Sequence, residues 1–125
     1  MKRRGYYTIE VAGKTITGHF SVNFWALLEE ELGLESIGET FEFMSRGIGM
    51  SKIRAVIYCS TKANALELGE LPTFANVFQC GLALEDFNEE HLIEVMEAFA
   101  ESKLLGSDAN FGIERKASEE DSEGK

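Results

Sequence analysis

Tyr6-Tyr7-Thr8-Ile9-Glu10-Val11-Ala12-Gly13-Lys14-Thr15-Ile16-Thr17-Gly18-His19-Phe20, running on into Ser21-Val22-Asn23-Phe24-Trp25-Ala26-Leu27-Leu28-Glu29-Glu30-Glu31-Leu32-Gly33-Leu34, decides the fold. Tyr7, Ile9 and Val11 alternate with Thr8 and Glu10, the period of a half-buried strand. Ala12-Gly13-Lys14 supplies a turn, and Thr15 to Phe20 returns as a second strand with Ile16 and Phe20 on one face. Gly18 lies between those two and has no side chain to pack, so a bulge or a close neighbour is expected there. A two-stranded hairpin is marginal alone, so helices must cover its apolar face. The first of them follows at once. Ser21 or Asn23 can cap it. Phe24, Leu27, Leu28 and Leu32 share one side, and Glu29, Glu30 and Glu31 face water. Gly33 closes the helix, with Leu34 folding back onto the last turn.

Further along, Ser36 and Glu39 have capping-box spacing. Ile37, Phe41, Met44 and Ile48 predict a helical stripe, with the helix ending near Arg46 before Gly47 and Gly49. Lys52 to about Leu66 is apolar on more than one side through Ile53, Val56, Ile57, Cys59, Ala63 and Leu66. It reads as a central helix, although Ala55 to Cys59 also fits a buried strand. Gly69 to Pro72 is a break. Phe74, Val77 and Phe78 suggest a short helix ending near Gly81. A last helix is capped by Asn88, with Glu89 and Glu90 at its positive end and Phe87 placed to staple onto Leu92. Its stripe is Leu92, Val95, Met96 and Phe99, and Lys103 and Gly106 mark its end. The fold class is therefore α+β: an amino-terminal β-hairpin on a bundle of four to five α-helices. Residues 1–106 form a single domain. Residues 107–125 form an acidic tail, small and polar from Ala117 onward, that is expected to be disordered.

A chain of 125 residues with 44% hydrophobic and 27% charged residues is an ordinary one-domain composition. The formal charge of -10 argues against nucleic acid, because phosphate binding needs a basic face. Lys2, Arg3 and Arg4 read as a solvated end. No apolar run approaches the roughly 20 residues of a membrane helix, and the alternating segment after Arg4 is not a signal-peptide core. A cytoplasmic location is expected.

No catalytic constellation emerges. Gly13-Lys14-Thr15 looks like the end of a phosphate-binding loop, but its flanks read strand–turn–strand and the required first glycine falls at Thr8. His19, His91, Cys59 and Cys80 lack partners at zinc-ligand spacing. The two cysteines lie among apolar residues as free thiols, and nothing points to a base that would activate them. Glu29, Glu30 and Glu31, with Glu85, Asp86, Glu89 and Glu90, fall on solvent faces or helix starts, not in the burial that acid–base pairs require. Neither metal nor cofactor is expected. Three aromatics remain as partner-binding candidates: Phe74, Phe78 and Phe111. Core packing is the ordinary role for the first two, whereas Phe111 stands alone in the tail, where a ring anchors a partner or a domain surface.

The run from Tyr7 to Ile16, then Asn23-Phe24-Trp25-Ala26-Leu27-Leu28-Glu29-Glu30-Glu31-Leu32-Gly33, resembles the small tail assembly chaperones of long-tailed bacteriophages and related gene-transfer particles. Ile53-Arg54-Ala55-Val56-Ile57-Tyr58-Cys59 and Glu85-Asp86-Phe87 match later pieces of the same pattern. The likeness extends over about Tyr6 to Ser102, and Leu68 to Leu84 is longer than the family's usual connection. The resemblance implies a non-enzymatic protein that binds the tape measure protein, keeps it soluble, helps recruit tail tube protein and leaves before the virion is complete. It also implies a possible homo-oligomer and a longer, frameshift-extended form. A structural head–tail connector or tail-completion protein of a phage or prophage is the alternative.

Overall fold

Two residues join the strands, and their backbones match the twist that a hairpin needs. Ala12 (φ 53) and Gly13 (φ 83) both lie in the left-handed region, the signature of a type I′ turn. They connect β1, Tyr6–Val11, to β2, Lys14–His19, in an unbroken antiparallel register from Tyr6↔His19 to Val11↔Lys14. The structure, a computed structural model, describes residues 4–102. Alanine in a left-handed conformation costs about 1–2 kcal/mol. Ala12→Asn is therefore expected to raise stability by about 0.5–1 kcal/mol, because Asn-Gly suits this turn. An increased urea midpoint would show it; an unchanged or lower midpoint would mean that the turn is not under this strain.

The hairpin has two unlike faces. Thr8, Thr17, Glu10 and Thr15 point outward, with a Thr8–Thr17 hydroxyl contact of 3.1 Å and Thr15 Oγ1 donating to Glu10 at 3.3 Å. Tyr7, Ile9, Val11 and Ile16 are buried on the other face. There is no bulge at Gly18. It stands opposite Tyr7 in register, and an added Cβ would lie 2.4 Å from the Tyr7 ring. Of the two expectations for this glycine, the close neighbour is what the fold uses.

Five helices follow among the described residues: α1 Val22–Leu32, α2 Ile37–Ser45, α3 Met50–Glu67, α4 Val77–Ala83 and α5 Glu89–Glu101. The α+β architecture is a hairpin whose apolar face is covered by α3 against β2 and α5 against β1. α1 and α4 then pack on α3. An aromatic chain runs through the core. Phe20 meets Tyr7 at 5.6 Å, Phe24 at 4.9 Å and Phe99 at 5.4 Å, and Phe24 meets Trp25 at 5.2 Å.

Local signals set most boundaries. Ser21 is the α1 cap, accepting from the Phe24 amide, and Gly33 (φ 70) lets the Leu34 N–H return to the Glu29 carbonyl at 2.9 Å. Ser36 caps α2, but the Glu39 carboxylate accepts from the Glu35 amide and not from that of Ser36. Asn88 caps α5 as expected. α3 is a helix throughout, so Ala55 to Cys59 is not a strand. Every residue from Ala55 to Thr61 is buried because the hairpin, α1 and α4 surround this helix. Ser60 and Thr61 tolerate that burial by donating to the Ile57 carbonyl.

Three expectations are corrected. The α2 stripe is only half used: Phe41 and Met44 pack inward, while Ile37 and Ile48 remain 42% and 52% exposed. The helix stops at Ser45 and packs mainly on α1, so Ile48 is not on it. α4 does not end near Gly81 but continues to Ala83, with Asn76 as its cap. Finally, α5 stops at Glu101, where Ser102 closes it with its hydroxyl on the Phe99 carbonyl at 2.7 Å. Lys103, Gly106 and the whole acidic tail lie outside the described residues.

Candidate functional site

The side chains that sequence reading assigned to possible chemistry turn out to be occupied. Gly13 is a turn residue, Lys14 reaches over the Phe74 ring at 5.6 Å, and Thr15 pairs with Glu10. Cys59 and Cys80 are buried, and burial pushes each thiol up to about 12. Neither is a thiolate at neutral pH. His91 closes the amino end of α5: its Nδ1 accepts from the Asn88 amide at 2.9 Å while its Nε2 reaches the Glu10 carbonyl at 2.9 Å. That arrangement requires the neutral ring with hydrogen on Nε2. It also ties α5 to the hairpin. Among the described residues, no group of three His, Cys, Asp or Glu side chains could hold a metal ion, and no helix is long and apolar enough to cross a membrane.

His19 belongs to a cluster that sequence spacing did not reveal. Its Nδ1 lies 2.6 Å from Glu67 Oε1, and Tyr6 stacks on its ring at 3.8 Å. Ser21 and Asn23 both donate to Glu67 Oε2. A serine, a histidine and a carboxylate thus meet, but in the wrong order for nucleophilic catalysis. The serine hydroxyl is given to the carboxylate, whereas an activated nucleophile gives it to the imidazole. The cluster acts as a clasp joining the end of β2, the start of α1 and the end of α3. Partial burial raises the Glu67 carboxyl, but the donors Ser21, Asn23 and His19 outweigh it and hold the group below its ordinary 4.5.

A carboxyl depressed by folding stabilises the folded state above its unfolded value, and the contribution disappears as pH falls through the folded one. The stability difference between the protein and Glu67→Gln is therefore expected to be full near neutral pH and to shrink below 4.5. Urea midpoints across that range would reveal it. A difference that does not change with pH would rule out this role for the clasp.

The partner-binding candidates separate clearly. Phe74 is 5% exposed and belongs to the core, so its ring is not available to a partner. Phe78 is 68% exposed. Phe111 lies outside the described residues. The face that carries Phe78 also carries Met50, 72% exposed, and Leu82, 64% exposed. These three line a groove of about 590 Å³ between the start of α3 and α4, floored by Ile53 and Arg54. Ile53 also lines a narrower apolar crevice between α3 and α5, bounded by Met44, Ile48, Lys52, Leu92 and Met96. The groove and the crevice share Ile53, and together they make a track in which Met50, Phe78 and Leu82 adjoin the polar Ser51, Arg54 and Glu85.

Two cations lie beneath it. The Arg54 guanidinium sits 5.2 Å from the Phe78 ring, and its Nε is buried without an acceptor. Gly81 makes room for the stem: an added Cβ would come within 3.2 Å of Arg54 Cδ. Lys52 is buried, donates to the Arg46 carbonyl at 2.7 Å and lies over Phe43 at 5.1 Å. Burial, helped by the charge on Arg46, holds its ammonium below the ordinary lysine value. Among the described residues no carboxylate forms an ion pair with either cation. Of the acidic runs, Glu85 lines the groove, while Asp86, Glu89 and Glu90 are exposed at the entry to α5.

Sequence reading found Phe78 but missed Met50, Leu82 and Arg54. Met50 had a signal, since a large apolar residue directly after Gly47-Ile48-Gly49 opens a helix with little to cover it. Comparison with protein-family models, with curated proteins and with solved structures gives no match.

Proposed function

We propose that this protein is a tail assembly chaperone of the long-tailed bacteriophage type. In this reading it binds an apolar helical stripe of the tape measure protein, keeps that protein soluble and assists assembly of the tail tube. The observation that carries the reading on the structural side is the track of Met50, Phe78 and Leu82, each well over half exposed, on a chain of net charge -10. A solvent-facing groove lined with large apolar side chains suits an amphipathic helix. The acidic surface around it keeps the complex dispersed by repulsion. The likeness of the Tyr7–Ile16 and Asn23–Gly33 runs to such chaperones supports the same assignment.

The reading includes no catalytic step and no cofactor. It places the protein in the cytoplasm of a bacterial host during assembly and not in the finished virion. Tail tube protein is a second partner, and self-association is compatible with it.

Co-expression tests it. With its cognate tape measure protein, this chain is expected to move that protein from the insoluble to the soluble fraction and to copurify with it. Purified particles should lack the chain. Fixed stoichiometry in particles, without any gain in solubility, would instead make it a connector or tail-completion protein.

A further inference from the structure

We propose that the groove between α3 and α4 selects a partner's amphipathic helix that carries one carboxylate at the border of its apolar stripe, for Arg54, and is otherwise basic. The inference rests on the reading of this groove as the docking face and names the helix that the face fits.

Arg54 is a fixed cation, unlike a mobile surface arginine. Its guanidinium lies 5.2 Å from the Phe78 ring, and its stem runs so close to Gly81 that an added Cβ would stand 3.2 Å from Cδ. Its Nε is buried without an acceptor, and among the described residues no hydrogen bond or ion pair reaches the rest of the group. With Nε covered, a ligand meets the two terminal nitrogens, an end of the fork that holds a carboxylate by two parallel bonds. Glu85 lines the same groove but forms no ion pair with Arg54. The groove therefore offers an unneutralised cation together with the exposed side chains of Met50, Phe78 and Leu82.

That combination specifies the occupant. The three large apolar side chains take the stripe of an amphipathic helix. A purely apolar stripe would strip water from the guanidinium and return no acceptor, which is costly. A carboxylate at the border of the stripe offsets that loss. The rest of the helix must be basic, because the chain has a net charge of -10, Glu85 lines the groove, and Asp86, Glu89 and Glu90 are exposed at the entry to α5. An acidic helix is repelled before it docks. The long-range field thus favours lysine and arginine, and Arg54 reverses that preference at one position.

The probes are leucine–lysine amphipathic helices of about five turns. In one set, successive border positions carry a single glutamate; in a matched set they carry a single glutamine. Binding to the full chain is read by fluorescence anisotropy. At one border position glutamate is expected to bind about five-fold more tightly than glutamine, the upper end for an ion pair open to solvent, although it lowers the positive charge of the peptide. Arg54→Gln should bring that ratio to about one. Arg54→Lys, which keeps a long stem and the charge but not the fork, should leave an intermediate ratio and carries the test if Arg54→Gln lowers Tm. Glutamine peptides that match or exceed glutamate peptides at every position overturn the proposal. If those peptides still lose binding to Phe78→Glu, the groove stands as a docking face and only the carboxylate is wrong. Peptides that bind Phe78→Glu as well as the unaltered chain, or bind neither, overturn the carboxylate and the docking face together.

Discussion

Gly18→Ala is expected to destabilise the protein by about 3–5 kcal/mol, a large part of the roughly 5–15 kcal/mol that holds a domain together. The new methyl would sit 2.4 Å from two ring carbons of Tyr7 and 2.5 Å from its hydroxyl oxygen. That ring cannot step aside freely. It is 2% exposed, packs against Phe20 at 5.6 Å, and its hydroxyl is bonded to Ser60 Oγ at 2.8 Å. Burial also holds the phenol neutral, since it raises the pKa far above the ordinary value. Overpacking alone costs about 1–3 kcal/mol. Displacing the ring also breaks the Tyr7–Ser60 bond and leaves the buried Tyr7 hydroxyl without its partner, a further cost of about 1–3 kcal/mol. A double-mutant cycle identifies the cause. Tyr7→Val removes the ring, so Gly18→Ala placed on that background should cost about 1 kcal/mol or less. Equal costs on both backgrounds would show that the glycine is needed for its backbone, not for the ring.

Phe24→Ala is the second large effect, also about 3–5 kcal/mol. Phe24 is fully buried and joins the first helix to the hairpin through an edge contact with Phe20 at 4.9 Å and an interplanar angle of 88°. It also contacts Trp25 at 5.2 Å, and Trp25 continues the chain of rings to Phe41 at 5.8 Å. Removing the ring leaves a cavity between two elements that contact each other through few other groups of this size. For a domain of this length the loss corresponds to a fall in Tm of about 10–20 °C. Phe24→Leu fills most of the volume and should retain more than half of the lost stability. A fall below about 5 °C for the alanine variant would mean that the aromatic chain is not the centre of the core.

Features governed by neighbours in sequence were legible before the structure. Ser21, Gly33 and Asn88 act within a turn of their own helices, and the Tyr7–Val11 alternation needs only a covering layer. What could not be read depends on residues far apart in the chain. Glu67 lies 46 residues from Ser21, and His91 meets a carbonyl 81 residues away. Gly81 looked like a helix end because glycine usually marks one. Here it lies inside α4, where the Arg54 stem passes beneath it. Phe74 and Phe78 are four residues apart and apolar alike, yet one is core and the other 68% exposed. Phe74 precedes the Asn76 cap and lies under Lys14 of the hairpin, whereas Phe78 sits on the outer side of a helix that packs on α3. Composition cannot separate them.

If the Met50–Phe78–Leu82 track is the binding face, substituting all three by glutamate should remove binding. Their side chains are 72%, 68% and 64% exposed, so Met50→Glu, Phe78→Glu and Leu82→Glu should leave the fold nearly unchanged. Val22→Glu with Leu71→Glu serves as the control, since Val22 and Leu71 are 69% and 87% exposed but do not line the track. The measurement is the amount of soluble tape measure protein that copurifies with each variant at matched expression. The expected result is at least about a ten-fold loss for the triple variant, equivalent to about 1.4 kcal/mol, with an unchanged Tm and a control that matches the unaltered protein. Undiminished copurification by a folded triple variant would contradict it.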